Sequence, residues 1–181
     1  METAMGTGMK LFKKASWIAL AALAIGLVGL QPRANAQATQ DTVLNAAEAT
    51  KLLPAAVYFK GQSATTQLRN SGGVKFADGS YVLSVMVDTS GYSSDVQQKY
   101  QAYFITEIPI KVEGHSLPAG IYGIGFVADN KFLVLDVGAH ELFSVTSHKD
   151  EELKRPMPLK VTSDKDGFRL YAGRSYVSFA R

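Results

Sequence analysis

Cysteine is absent from all 181 residues of the sequence. Its absence excludes disulfide-stapled scaffolds, catalytic thiols, zinc sites built from cysteine and iron–sulfur clusters. A domain of this length without disulfides must therefore be held together by its apolar core.

Long hydrophobic runs are also lacking, except near the N-terminus, where Ser16 to Leu30 carry no charge. Three lysines between residues 10 and 14 precede this run, and the small-residue sequence ANA at 34–36 follows it. At about 1.5 Å per residue the run spans roughly 22 Å, which is short of the ~30 Å hydrocarbon layer. The pattern is typical of an export signal, so we predict that residues 1–36 are a cleaved signal peptide. The predicted location is periplasmic or secreted, without membrane insertion after cleavage.

An excess of basic residues is lacking in the rest of the chain. The whole sequence has 19 basic and 16 acidic residues and a net charge of +3. Four of the basic and one of the acidic residues lie within 1–36, which leaves 15 of each in the 145 residues that follow. A neutral chain with dispersed charges gives no reason to expect a nucleic-acid partner. Its length fits one domain with one core.

The remaining chain shows two periodicities. Residues 37–54 have apolar positions at helical spacing, with Asp41 or Thr42 as a candidate N-cap and Pro54 at the end, which predicts a short N-terminal helical segment. Across residues 55–181 apolar residues alternate with a period of two, and turn pairs such as DG at 78–79 and 166–167 separate short runs of β-formers. This pattern predicts a single antiparallel all-β domain, either a β-sandwich or a partly open barrel.

One turn has a recognisable side-chain pattern. Leu117, Gly120 and Tyr122 form L-x-x-G-x-Y, which resembles the tyrosine corner of Greek-key β-sandwiches, where a tyrosine hydroxyl bonds to the backbone a few residues upstream. The alternative is an ordinary strand that begins after a Pro-Ala-Gly turn. We therefore assign these three residues a structural role.

The wider stretch of residues 110–135, IKVEGHSLPAGIYGIGFVADNKFLVL, is similar to a passage in secreted bacterial β-sandwich domains of unknown function, in which a V-x-V-x-G-x-x-L-x-A-G-x-Y run recurs. The resemblance implies a β-sandwich and no particular chemistry. Within this stretch Gly123 and Gly125 fall on one face of a strand. That spacing predicts either an aromatic side chain that covers the glycines or a shallow ligand groove.

Catalytic and metal-binding motifs are lacking. The three histidines are His115, His140 and His148, and the HE pair at 140–141 does not continue into an H-E-x-x-H zinc motif because position 144 is serine. Asp136, His140 and His148 would form a metal site only if neighbouring strands brought them together. The sequence has no nucleophile elbow and no phosphate-binding glycine loop. We therefore expect a protein that is not an enzyme and needs no metal or other cofactor.

The segment from Asp88 to Phe104 has the composition of a recognition surface. Tyrosine offers a large contact area with a polar tip, and glutamine offers both donors and acceptors. The alternative is that Tyr100 and Phe104 point into the core as strand residues while the glutamines face water. We predict an exposed aromatic and polar patch that binds a ligand, formed by Tyr92, Gln97, Gln98, Tyr100, Gln101 and Tyr103.

Two functions fit these observations best. The first is an exported, non-catalytic β-sandwich module that binds protein or glycan at the cell envelope. The second is a carrier of a small apolar ligand in a barrel-like calyx, which needs an unfilled interior. A hydrolase whose site is assembled from residues distant in the sequence is a further alternative.

Overall fold

A computed structural model of the protein describes residues 40–181. The predicted signal peptide, residues 1–36, lies outside the described residues. Within the described range the chain forms fourteen strands and two short helices. In chain order they are β1 (Thr42–Leu44), α1 (Ala46–Ala49), β2 (Ala56–Phe59), β3 (Gln62–Lys75), β4 (Tyr81–Val87), α2 (Ser94–Lys99), β5 (Ala102–Thr106), β6 (Ile110–Val112), β7 (His115–Leu117), β8 (Gly120–Val127), β9 (Lys131–Leu135), β10 (Glu141–Thr146), β11 (His148–Lys149), β12 (Met157–Asp164), β13 (Gly167–Gly173) and β14 (Ser175–Ala180).

Two antiparallel sheets pack face to face. The first has eight strands in the order β1-β3-β4-β5-β8-β9-β10, and β2 pairs with the start of β3 as a hairpin. The second has six strands in the order β12-β13-β14-β6-β7, and β11 pairs with β14. The predicted all-β sandwich is confirmed, since the strands form two separate sheets rather than a partly open barrel.

The turn signals lie where the hairpins are. Asp78 and Gly79 join β3 to β4, and the carboxylate of Asp78 accepts hydrogen bonds from the N–H and the hydroxyl of Ser80 at 2.9 and 2.6 Å. Gly79 has a φ of +91°, a conformation that glycine adopts without strain. The β12–β13 hairpin turns at Lys165 and Asp166, and Gly167, which has a φ of +146°, pairs with Asp164 directly after the turn.

The space between the sheets is filled by apolar side chains. Alternate residues of the second sheet, such as Leu170 and Val177, point inward and meet alternate residues of the first sheet, such as Ile124 and Val134. All four are at most 2% exposed. The period of two in the sequence therefore corresponds to the alternate residues that point to the inner faces of both sheets.

A second apolar cluster covers the opposite face of the first sheet. Phe59 of β2, Ala49 of α1 and Val96 of α2 pack there against Leu83 and Leu133 of the sheet. The first sheet is consequently buried on both faces, which accounts for the nearly continuous apolar runs of β4 and β9. Neither described helix is long and apolar enough to cross a membrane.

The N-terminal helical segment is shorter than predicted, and its predicted cap is wrong. Thr42 pairs with Lys75 in the first sheet, and the carboxylate of Asp41 accepts the N–H of Ala77 at 2.9 Å. The cap is Asn45, whose side chain accepts the N–H groups of Ala47 and Glu48, while the Glu48 carboxylate accepts the N–H of Asn45. Because Asn45 directly follows β1, this reciprocal capping box places the start of α1 immediately after the end of the strand.

Candidate functional site

The six residues predicted to form an exposed patch do not do so. Tyr92, Tyr100 and Tyr103 are 7%, 0% and 7% exposed, and the helix α2 lies between the first two. The prediction of an exposed aromatic surface is wrong because these rings form the second apolar cluster on the outer face of the first sheet.

The contacts of this segment are those of a core. The ring of Tyr100 stacks on Phe59 with centroids 3.8 Å apart, and the hydroxyl of Tyr92 donates to the backbone carbonyl of Phe59 at 3.0 Å. Burial raises the pKa of the Tyr100 hydroxyl, and this hydroxyl has no hydrogen-bond partner among residues 40–181.

The glutamines are divided between structural and solvent positions. The half-buried Gln101 exchanges two hydrogen bonds of 2.9 Å with the backbone of Phe126, which ties the end of α2 to β8. Gln97 is exposed and donates to the carbonyl of Tyr92 at 2.7 Å. Gln98 is exposed as well. The segment thus presents two glutamines to solvent and no aromatic platform.

The glycine strip of β8 is covered. A Cβ on Gly123 would lie 2.5 Å from the ring of Phe59, and one on Gly125 would lie 2.1 Å from the carbonyl oxygen of Lys99. These close approaches explain both glycines, since only a residue without a side chain lets the ring and the end of α2 reach the sheet. The covering aromatic side chain is therefore the correct alternative, and the groove is absent at this position.

The tyrosine corner has the geometry that its sequence pattern predicts. The hydroxyl of Tyr122 donates to the carbonyl of Pro118, four residues upstream, at 3.0 Å. The ring lies over Gly120, where a Cβ would come within 2.8 Å of the hydroxyl oxygen, and Leu117 is 1% exposed in the core. All three residues therefore hold the passage from β7 into β8.

We expect Tyr122→Phe to lower the free energy of unfolding by about 1–2 kcal/mol, because it leaves the carbonyl of Pro118 without its partner. Tyr100→Phe is the matched control, since it removes the same atom from a buried hydroxyl that has no partner among the described residues. We expect that control to leave stability unchanged or to raise it by up to ~1 kcal/mol. Denaturant melts of both variants test the pair, and equal losses would contradict the corner.

A cleft lies where the edges of the two sheets meet, and we call it the edge cleft. Its volume is about 450 Å³ and it is open to solvent. The second sheet contributes side chains of the β6–β7 turn, β7 and β11, and the first sheet contributes β9 and the edge strand β10. The lining residues are Glu113, His115, Lys131, Ser144, Val145, Thr146 and His148.

Hydrogen bonds fix the acidic side of the edge cleft. Glu113 has a φ of +46° in the tight turn that it forms with Gly114, and its Oε1 accepts the N–H of Ser178 at 2.5 Å. Its Oε2 lies 3.3 Å from Nε2 of His148. Both carboxylate oxygens are therefore engaged within the second sheet, and they position His148 at the wall of the cleft.

The side of the edge cleft formed by the first sheet carries an ammonium group without such a partner. Lys131 forms no ion pair with a residue in the 40–181 range. The ring of His115 stacks on Phe143 of β10 with centroids 5.3 Å apart, which brings the edges of the two sheets together. The cleft thus contains the ammonium of Lys131, which has no ion-pair partner among residues 40–181, and the carboxylate of Glu113, which is already hydrogen-bonded.

The backbone of β10 forms part of the wall. Ser147 donates its N–H to the carbonyl of Asn130 at 2.7 Å, so these residues are a hydrogen-bonded pair. Such pairs alternate with non-bonded pairs along an antiparallel ladder, so Val145 bonds to β9 while Ser144 and Thr146 direct their N–H and C=O groups away from it. Since β10 is the last strand of its sheet, no described strand pairs with these groups.

The histidines and their acidic neighbours lie in separate pairs. Asp136, His140 and His148 do not all come together, because Asp136 pairs with His140 at 3.0 Å and His148 contacts Glu113 instead. Hydrogen bonds, first of all from the backbone N–H of His140, lower the pKa of Asp136. Among residues 40–181 no three His, Asp or Glu side chains are grouped to hold a metal ion.

Comparison of the chain with protein-family models, curated proteins and solved structures gave no match.

Proposed function

We propose that the protein is an exported, non-catalytic module that binds a protein or glycan partner at the cell envelope, and that it does so in the edge cleft. The observation that carries this proposal is the cleft itself, in which side chains from both sheets surround unpaired backbone groups of β10. The export-type N-terminal sequence supports the location.

The filled interior favours a surface site over an internal one. Side chains such as Phe104, Phe132 and Phe179 occupy the space between the sheets and are at most 3% exposed. A carrier of an apolar molecule needs a cavity of a few hundred Å³ or more in that position. The edge cleft is open and its walls carry charged and polar groups, which suits a polar partner.

The polar groups of the edge cleft also favour binding over hydrolysis. In a hydrolase of the serine type, a hydroxyl donates to the histidine that acts as general base. Within residues 40–181 the hydrogen-bond partner of His148 is Glu113, and no serine or threonine hydroxyl bonds to a histidine ring. The cleft therefore supplies contacts without an activated nucleophile.

Lys131→Glu is expected to reduce retention of the protein on cell-envelope material by about tenfold. It replaces the unpaired ammonium of the cleft with a second carboxylate in the same cleft as Glu113. Lys154→Glu is the matched control, since Lys154 is exposed and does not line the cleft. A pull-down from an envelope extract measures retention. Both variants are expected to melt within about 2 °C of the wild type. Equal retention of the two variants would contradict the proposed site.

A further inference from the structure

We infer that the edge cleft takes an extended peptide segment with alternating acidic and apolar side chains, which adds a strand to the free edge of β10. This inference rests on the proposed function and names its partner class: a protein segment rather than a glycan. It follows from three features of the cleft: the spacing of its unpaired backbone groups, the length of its free edge and its charges.

The unpaired backbone groups have the spacing of a strand ladder. Ser144 and Thr146 are two residues apart, and each directs one N–H donor and one C=O acceptor away from β9. An added antiparallel strand forms its hydrogen bonds with every second residue of the edge that it joins. A peptide backbone repeats donor and acceptor at this spacing, whereas sugar hydroxyls do not. The wall of the cleft therefore matches an extended peptide.

The free edge is short, which disfavours a second copy of this chain as the occupant. The pairing of β10 with β9 shifts register between Glu141 and Phe143, so Leu142 is the extra residue of a β-bulge and is 50% exposed. Bulges bend an edge away from continuous pairing. Regular edge remains from Phe143 to Thr146, beyond which the chain leaves for β11 in the other sheet. This length suits a short segment of a partner.

The charges of the cleft specify the side chains of the guest. Residues directly opposite one another in an antiparallel ladder point to the same face, so Lys131 and its partner Thr146 share a face. A guest residue opposite Thr146 lies on that face, where an acidic side chain meets the unpaired ammonium of Lys131. The neighbouring guest residues lie on the face of Val145 and Phe143, whose apolar side chains pack against the core and, at Phe143, against the ring of His115. Acidic and apolar residues therefore alternate along the guest.

Fluorescence anisotropy with a short labelled peptide of alternating valine and glutamate tests this inference. We expect the wild-type protein to bind it and Ser144→Pro to bind about tenfold more weakly, because proline removes an N–H that points away from β9. Ser144→Ala keeps that N–H and is expected to bind within about twofold of the wild type. The affinity of the wild-type protein is also expected to be about tenfold lower for an N-methylated form of the peptide and for a valine–lysine peptide. The N-methylated arm does not depend on folding of the proline variant.

Four results would overturn the inference. Equal binding of the N-methylated peptide would exclude strand addition, and equal binding of the lysine peptide would exclude an acidic guest. A doubled mass by light scattering that Ser144→Pro abolishes would assign the edge to a second copy of this chain. If the valine–glutamate peptide fails to bind while Lys131→Glu still reduces retention on envelope material, the inference fails and the proposed function stands. If Lys131→Glu does not reduce retention, the proposed function fails as well.

Discussion

Gly125→Ala is expected to lower the free energy of unfolding by roughly 3 kcal/mol. The added Cβ would lie 2.1 Å from the carbonyl oxygen of Lys99 and 2.9 Å from its carbonyl carbon. Both are backbone atoms at the end of α2, so no side-chain rotation relieves the overlap. The variant must move α2 away from β8, which opens the apolar cluster formed by Val96 and Tyr100.

Gly91→Ala is the matched control for this methyl addition. A Cβ at Gly91 has no heavy atom within 4 Å, and the residue does not have a positive φ. We expect its free energy of unfolding to stay within about 0.5 kcal/mol of the wild type or to rise slightly, since alanine restricts the unfolded chain more than glycine does. Denaturant melts of the two variants measure the difference. Equal stability of the two would contradict the packing of α2 against the first sheet.

Tyr92→Ala is expected to cost about 3–5 kcal/mol, the range for truncation of a buried aromatic residue. Its ring meets Phe59 and Tyr100 edge to face at centroid distances of 6.2 and 5.7 Å, and its hydroxyl donates to the carbonyl of Phe59. Tyr58→Ala is the control, because Tyr58 is 65% exposed in the same hairpin as Phe59. We expect that control to cost less than about 1 kcal/mol. Similar thermal melts for both variants would show that Tyr92 is not a core residue.

The fold is predictable from the sequence where its signals are local. Gly79 indicates a hairpin because the turn requires a residue with positive φ. Tyr122 indicates a corner because its hydrogen-bond partner Pro118 is only four residues away. The helix α2 cannot be predicted from local signals of this kind. Val96 is its one buried residue, so no helical period of apolar residues is visible. Its remaining signals are Asp95 in the first turn and Lys99 in the last.

The position of the tyrosines is not predictable from their composition. Tyr92 and Tyr100 have the same side chains whether they form a recognition surface or a core, and their burial depends on Phe59, which lies more than thirty residues earlier in the chain. That contact is set by how β2 folds over the first sheet. Composition reports what a side chain can do, whereas burial depends on which distant element covers it.

The edge cleft lies beyond sequence reasoning for a similar reason. Glu113 and His148 are 35 positions apart and meet because β11 pairs with β14 beside the β6–β7 turn. Lys131 and Ser144 come from the other sheet. A turn signal is present in Glu113 and Gly114, but nothing in the sequence says which sheet edge that turn will face.

Amide hydrogen exchange at Ser144, Val145 and Thr146 tests most directly whether β10 is the binding edge. In the free protein we expect fast exchange at Ser144 and Thr146, whose N–H groups point away from β9, and slow exchange at Val145, which bonds to β9. Saturation with the valine–glutamate peptide should slow exchange at Ser144 and Thr146 by about tenfold or more and leave Val145 unchanged. Slow exchange of Ser144 and Thr146 in the free protein, or no slowing when the peptide is bound, would contradict the assignment of β10 as the edge that takes the partner.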